Sequence, residues 1–139
     1  MQDEPRAPEI IGVVRTFLQE RIAPCLEGRE AFDLRVAVRA LELVERELAI
    51  APRAHHEEAQ RLEKLLGASG SLGELNRRLI EFIATDADPL GNAALMRHLW
   101  KTTADKLAVD QPRYAAFVAS QAHIESLIAQ EARTEREER

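Results

Sequence analysis

Apolar residues return at three- and four-residue steps along most of the chain, and no stretch alternates apolar and polar with period two over the length of a strand. Five interruptions cut that pattern: Ala23-Pro24, Ala51-Pro52, the Gly/Ser segment from Gly67 to Gly73, the polar run from Thr85 to Pro89, and Gln111-Pro112. No internal repeat of roughly 20–50 residues is evident. A chain punctuated in this way folds as helix after helix joined by short loops, so the expectation is an all-α, single-domain bundle of five to six helices. The 139 residues form one helical domain, with a core over about 8–130 and a charged tail over 131–139.

The spacing predicts a first helix over about 8–23, with Pro8 in its first turn and a buried stripe of Ile10, Val14, Phe17, Leu18, Ile22 and Cys25. A second helix over about 29–50 reads as the central one. Leu34, Ala37, Leu41, Val44 and Leu48 form its stripe, widened by Phe32, Val36, Ala40 and Leu43. Pro52 separates it from a third helix over about 53–66, which stops at Gly67. Ser71 and Glu74 stand at capping-box spacing and open a fourth helix, with Leu72, Leu75, Leu79, Phe82 and Ile83 facing inward. The fifth starts between Asp88 and Asn92 and runs to about 109, burying Met96, Leu99, Trp100, Thr103 and Leu107, with Trp100 as a core anchor. Pro112 opens the last helix behind a cap at Asp110 or Gln111, and Phe117, Val118, Ile124 and Ile128 supply its apolar stripe.

Composition narrows the function classes. Nineteen basic against 24 acidic side chains leave a net charge of −5, which argues against a general binder of nucleic acid or of anionic membranes. Six aromatic residues provide few stacking platforms for single-stranded nucleic acid. No apolar run approaches the ~20 residues of a membrane span. One cysteine makes no intrachain disulfide, and residues 1–5 lack the basic and apolar segments of a secretory signal, so a cytoplasmic setting is expected.

Motifs for catalysis are lacking. The Gly67 to Gly73 segment matches neither the dinucleotide fingerprint nor the Walker loop, because no Gly-Lys-Ser/Thr follows it. His55 and Glu58 at i,i+3 are the nearest approach to metal-ligand spacing, and no Glu-x-x-His or His-Glu-x-x-His accompanies them. Cys25, Ser and Thr stand beside no recognisable base. No catalytic residue, cofactor or metal is therefore expected.

Two constellations remain as candidate sites. Arg35, Arg39 and Arg46 share one narrow helix face with Glu42, and a row of guanidiniums can clamp a phosphate or carboxylate. Lys106, Asp110, Arg113 and Tyr114 crowd the helix–Pro–helix junction, where Arg and Tyr are residue types enriched in binding hot spots.

That junction, Asp-Lys-Leu-Ala-Val-Asp-Gln-Pro-Arg-Tyr over 105–114, resembles the closing motif of an uncharacterised family of small bacterial helical proteins. Phe32 with Arg35-Val36-Ala37, Val44-Glu45-Arg46-Glu47-Leu48 and Leu75-Asn76 are similar to the same pattern, so the resemblance covers roughly 5–114. Members of that family are encoded beside, or fused behind, aminoglycoside-phosphotransferase-like kinases, often near acyl-CoA dehydrogenases. The resemblance implies an accessory role and supplies no catalytic residues. The expected function is a non-catalytic interaction module that binds such a kinase or dehydrogenase, or a second copy of itself as a homodimer. The alternative is a helical bundle that holds an acidic metabolite such as an acyl-CoA.

Overall fold

The computed structural model describes residues 5–121, which are all-α: five α-helical segments and no strand occur among them. Contacts gather into two compact units, Met1–Pro52 and Arg53–Arg139, and each is described by itself. Ile124, Ile128 and the charged tail lie outside the described residues.

The first unit opens with α1 (Ala7–Phe17), which has Pro8 in its first turn as the sequence predicts. The Arg6 amide donates to the Glu9 carboxylate at 2.9 Å and closes the helix start. Beyond Phe17 the helix widens. The Ala23 amide reaches back five residues to the Leu18 carbonyl, giving a π turn over Leu18–Ile22 and then a 3-10 turn over Ala23–Cys25. Pro24 explains the widening, since its ring has no N–H for the Glu20 carbonyl and collides with that group in a regular α-helix.

The predicted stripe is observed only in part. Ile10, Val14 and Phe17 are 50%, 44% and 54% exposed, and Cys25 is exposed with its Sγ donating to the Arg21 carbonyl. Leu18 and Ile22 of that stripe are half-buried and line the inner face as predicted, joined there by Ile11 and Arg15. Arg15 Nε donates to Glu45 at 2.9 Å, and Gln19 Nε2 donates to Glu42 at 3.4 Å, so α1 runs antiparallel to the chain that follows.

That chain is α2 (Gly28–Leu66), a single helix of 39 residues where the sequence predicts two. Pro52 sits inside it without breaking it. The carbonyl deprived of a donor belongs to half-exposed Leu48, where water can take the bond, and strong helix formers such as Leu48, Ala49, Ala51, Arg53 and Ala54 carry the helix through. The reading of α2 as a central helix also fails in the first unit. Val38 and Ala51 are its buried residues there, while Phe32, Val36, Leu43, Val44 and Leu48 are 39–54% exposed.

The second unit holds the rest of α2, α3 (Leu72–Thr85), α4 (Ala93–Asp110) and α5, described over 115–121. Gly67 ends α2 with φ +59°, a left-handed stop that costs glycine little. Ser71 and Glu74 form the predicted capping box: the Ser71 amide donates to the Glu74 carboxylate at 2.9 Å, and the Glu74 amide donates to Ser71 Oγ at 3.4 Å. Leu62, Leu75, Leu79 and Leu95 make the core, surrounded by Ala59, Leu65, Leu66, Leu72, Phe82 and Ile83. The inward face predicted for α3 is therefore the observed one. The α3–α4 loop is tied by its own side chains, with the Asp88 amide donating to Asp86 and Asn92 Nδ2 donating to Asp86. Asn92 is the cap of α4, accepting from the Leu95 amide at 3.1 Å.

Here α4 is turned relative to expectation. Leu95, His98, Ala104 and Val109 are buried, whereas Leu99 and Trp100 are 36% and 44% exposed. Polar groups occupy the inner face because they find partners there, which offsets the cost of removing them from water. Pro112 does not open the last helix. Gln111 leaves the helical conformation, which the proline ring disfavours for the residue before it, and its carbonyl accepts the Tyr114 amide at 2.9 Å. The result is a turn over 111–114 with Pro112 at its second position, and α5 begins after it.

Candidate functional site

The rotation of α4 gives it an outward stripe. Leu99, Thr103, Lys106 and Asp110 follow one another at steps of four, three and four, and all are exposed. Trp100 stands beside them, and the turn that follows presents exposed Arg113 and Tyr114, the latter 51% exposed. Thus Lys106, Asp110, Arg113 and Tyr114 all face solvent, and an exposed indole that sequence periodicity places in the core stands on the same helix. Lys106 and Asp110 form no ion pair with each other among the described residues, although their spacing suits one. Asp110 is the last residue of α4, where a carboxylate meets the negative end of the helix dipole.

The guanidinium strip lies in the first unit and is engaged with its own surroundings. Arg39 Nη1 bonds Glu42 at 2.7 Å, and Arg35 lies over the Phe32 ring at 5.8 Å. Arg46 is also in contact with its surroundings. Partial burial pushes the Glu42 carboxyl up, but the Arg39 hydrogen bond and the charges of Arg39, Arg15 and Arg46 outweigh this and hold it below its ordinary value. Arg39 and Arg46 therefore act on a carboxylate already present, Arg35 packs over Phe32, and all three are engaged with neighbours of their own.

A third constellation, absent from the sequence reading, lies on the inward face of α4 and the second half of α2. Asp105 accepts from Lys101 Nζ at 2.8 Å and lies 3.7 Å from Arg61 Nη2. The same Arg61 nitrogen is 3.4 Å from Thr102 Oγ1. Glu58, 7% exposed, accepts from Asn76 Nδ2 at 3.3 Å. His98 is 3% exposed with its Nδ1 unpartnered, and burial first, then the Arg61 charge, push its pKa below the ordinary value against the pull of Glu58, with a smaller push from Lys106. The imidazole is thus held neutral.

Helix period was the available signal for this cluster. The line Leu95, His98, Thr102, Asp105, Val109 steps three, four, three, four, but tracing apolar residues alone passes it over. Chemically the cluster ties α4 to α2 through the Arg61–Asp105 pair and the Arg61–Thr102 contact, while Arg61 Nε, His98 Nδ1 and Asp105 Oδ2 are buried without a hydrogen-bond partner. Glu58 points to Asn76 while His55 is exposed, and no metal-ligating group of three or more His, Cys, Asp or Glu occurs among the described residues. No helix among them is long and apolar enough to cross a membrane.

Comparison with known proteins returns one result. A family model described as Domain of unknown function (DUF6285) matches residues 24–114, from the 3-10 turn to the tyrosine that closes the turn after α4. No curated protein and no solved structure matches the chain.

Proposed function

We propose, for a chain that belongs to the DUF6285 family, the role of a non-catalytic accessory module that binds a protein partner through the outward face of α4 and the turn after it. The observation that carries this reading is the exposure of Tyr114 and Trp100, at 51% and 44%, on a surface shared with Arg113. Trp, Tyr and Arg dominate binding hot spots because each offers a large apolar area together with a polar handle. Free-standing charges at Lys106 and Asp110 supply orientation around that apolar centre. A kinase of the aminoglycoside-phosphotransferase type, or an acyl-CoA dehydrogenase, is the partner class that the resemblance at 105–114 favours. The strip of Arg35, Arg39 and Arg46 supports an acidic-metabolite site less well, because Arg39 and Arg46 already act on Glu42 and Arg35 lies over Phe32.

Co-purification of the full chain with a kinase-like and with a dehydrogenase-like protein encoded next to it tests this reading. Tyr114→Ala and Arg113→Ala alter exposed side chains and leave the core alone. Each is expected to weaken complex formation by at least tenfold, about 1.4 kcal/mol or more, as hot-spot truncations do. Unchanged capture by both variants would remove the junction from consideration.

A further inference from the structure

The first unit leaves one side uncovered. Its inner line runs through Ile11 of α1, Leu18 and Ile22 of the π turn, and Leu34, Val38 and Leu41 of α2, all buried or half-buried. At about 100° per residue, Arg15 and Gln19 fall on one flank of that line and bond Glu45 and Glu42, which makes this flank ionic. Ile10, Val14 and Phe17 fall on the opposite flank of α1, and Ala37, Val44 and Leu48 on the same opposite flank of α2. From there the apolar surface continues round the back of α2 through Ala40, Val36 and Leu43. The seven large residues among these are each 39–54% exposed.

We propose that this side of the α1–α2 hairpin is the interface of a homodimer, in which two hairpins pair across a two-fold axis to form a four-helix bundle. Three considerations favour a second copy as the occupant. The first is area: seven half-exposed aliphatic and aromatic residues present on the order of 600 Å² per copy, and a polar rim brings this to the roughly 800 Å² per partner of a standard interface. The second is stabilisation. A unit ending at Pro52 is small and, among its described residues, buries only Val38 and Ala51, so covering this side supplies apolar burial that the unit lacks. The third is geometry, because an antiparallel pair of helices with one apolar side is self-complementary under a two-fold rotation, the operation that most homo-oligomers use.

Sedimentation of the full chain over a range of concentrations reads the outcome. The wild type is expected at twice 15.6 kDa, dissociating on dilution, and Leu48→Glu and Val14→Glu are each expected at 15.6 kDa with unchanged helical circular dichroism. A wild type at 15.6 kDa at every concentration would overturn the proposal, as would variants that stay dimeric. Should either variant lose helicity, hydrogen exchange of the wild type decides. Protection of α1 and of α2 before Pro52 must rise with concentration, and a rise confined to α4 and the 111–114 turn would place the contact elsewhere. Arg113→Ala and Tyr114→Ala leave this interface intact, so failure of the dimer and failure of the partner patch are separately visible.

Discussion

Protonating His98 would set a new positive charge beside Arg61 in a site where the ring is 3% exposed. Its folded-state pKa lies below the ordinary 6.5, so the unfolded chain binds the proton more readily. The associated stability is fully present above 6.5 and is lost as pH falls from there toward the depressed folded value. Glu57, held below 4.5 by its Arg53 hydrogen bond, adds its own loss only in more acidic solution. The urea midpoint is therefore expected to fall between about pH 7 and pH 5, and the fall should flatten in His98→Asn. An identical slope in that variant would assign the titration to another group. In the core, Leu75→Ala empties a fully buried site and is expected to cost about 2–5 kcal/mol by chemical denaturation, whereas Val118→Ala on the surface should stay within about 0.5 kcal/mol. Core leucines such as Leu75 were legible in the sequence because their helical period is unbroken. Asp105 was not, since its burial is declared only through Arg61, distant in sequence, and His98 was not, since tracing apolar residues alone passes over a buried imidazole.

The helices themselves were legible wherever a local chemical signal fixed an end. Ser71 with Glu74 opens α3, Asn92 caps α4 and Gly67 stops α2, each through bonds or backbone angles that the residue types dictate. Proline was the less reliable guide, because its effect depends on what surrounds it. Pro24 turned a helix end into a π turn, Pro52 was absorbed, and Pro112 built a turn where a helix start was expected. Pro52→Ala restores an amide for the Leu48 carbonyl and should raise stability by up to ~3 kcal/mol, read from the urea midpoint, with part of the gain offset by a freer unfolded chain. Ser71→Ala removes the reciprocal cap and should lower it by about 1 kcal/mol. The exposed apolar flank of α1 was illegible for a physical reason: Ile10, Val14 and Phe17 have the spacing of a core stripe, and period alone does not say which chain covers it.

For the whole molecule, association through the hairpin links stability to concentration. A dimer that dissociates on unfolding gains stability by mass action, so the melting temperature of the wild type should rise with protein concentration, while that of Leu48→Glu stays constant. The two proposed surfaces lie in different units, with the junction patch in the second and the apolar hairpin side in the first. The junction residues Lys106, Asp110, Arg113 and Tyr114 could be named from the sequence because proline and a crowd of polar residues mark a junction. Their neighbour Trp100 could not, since its outward position follows from the polar inner face of α4.

Trp100 also gives the protein a built-in optical reporter. It is the only tryptophan in the chain and stands 44% exposed on the helix that carries Lys106 and Asp110. Excitation at the red edge of protein absorbance therefore interrogates this one position, whose emission in the free protein is that of an indole in contact with water. A partner seated on the α4 face would dry the ring and move the emission to shorter wavelength. A titration in a cuvette thus follows engagement of that surface without a label.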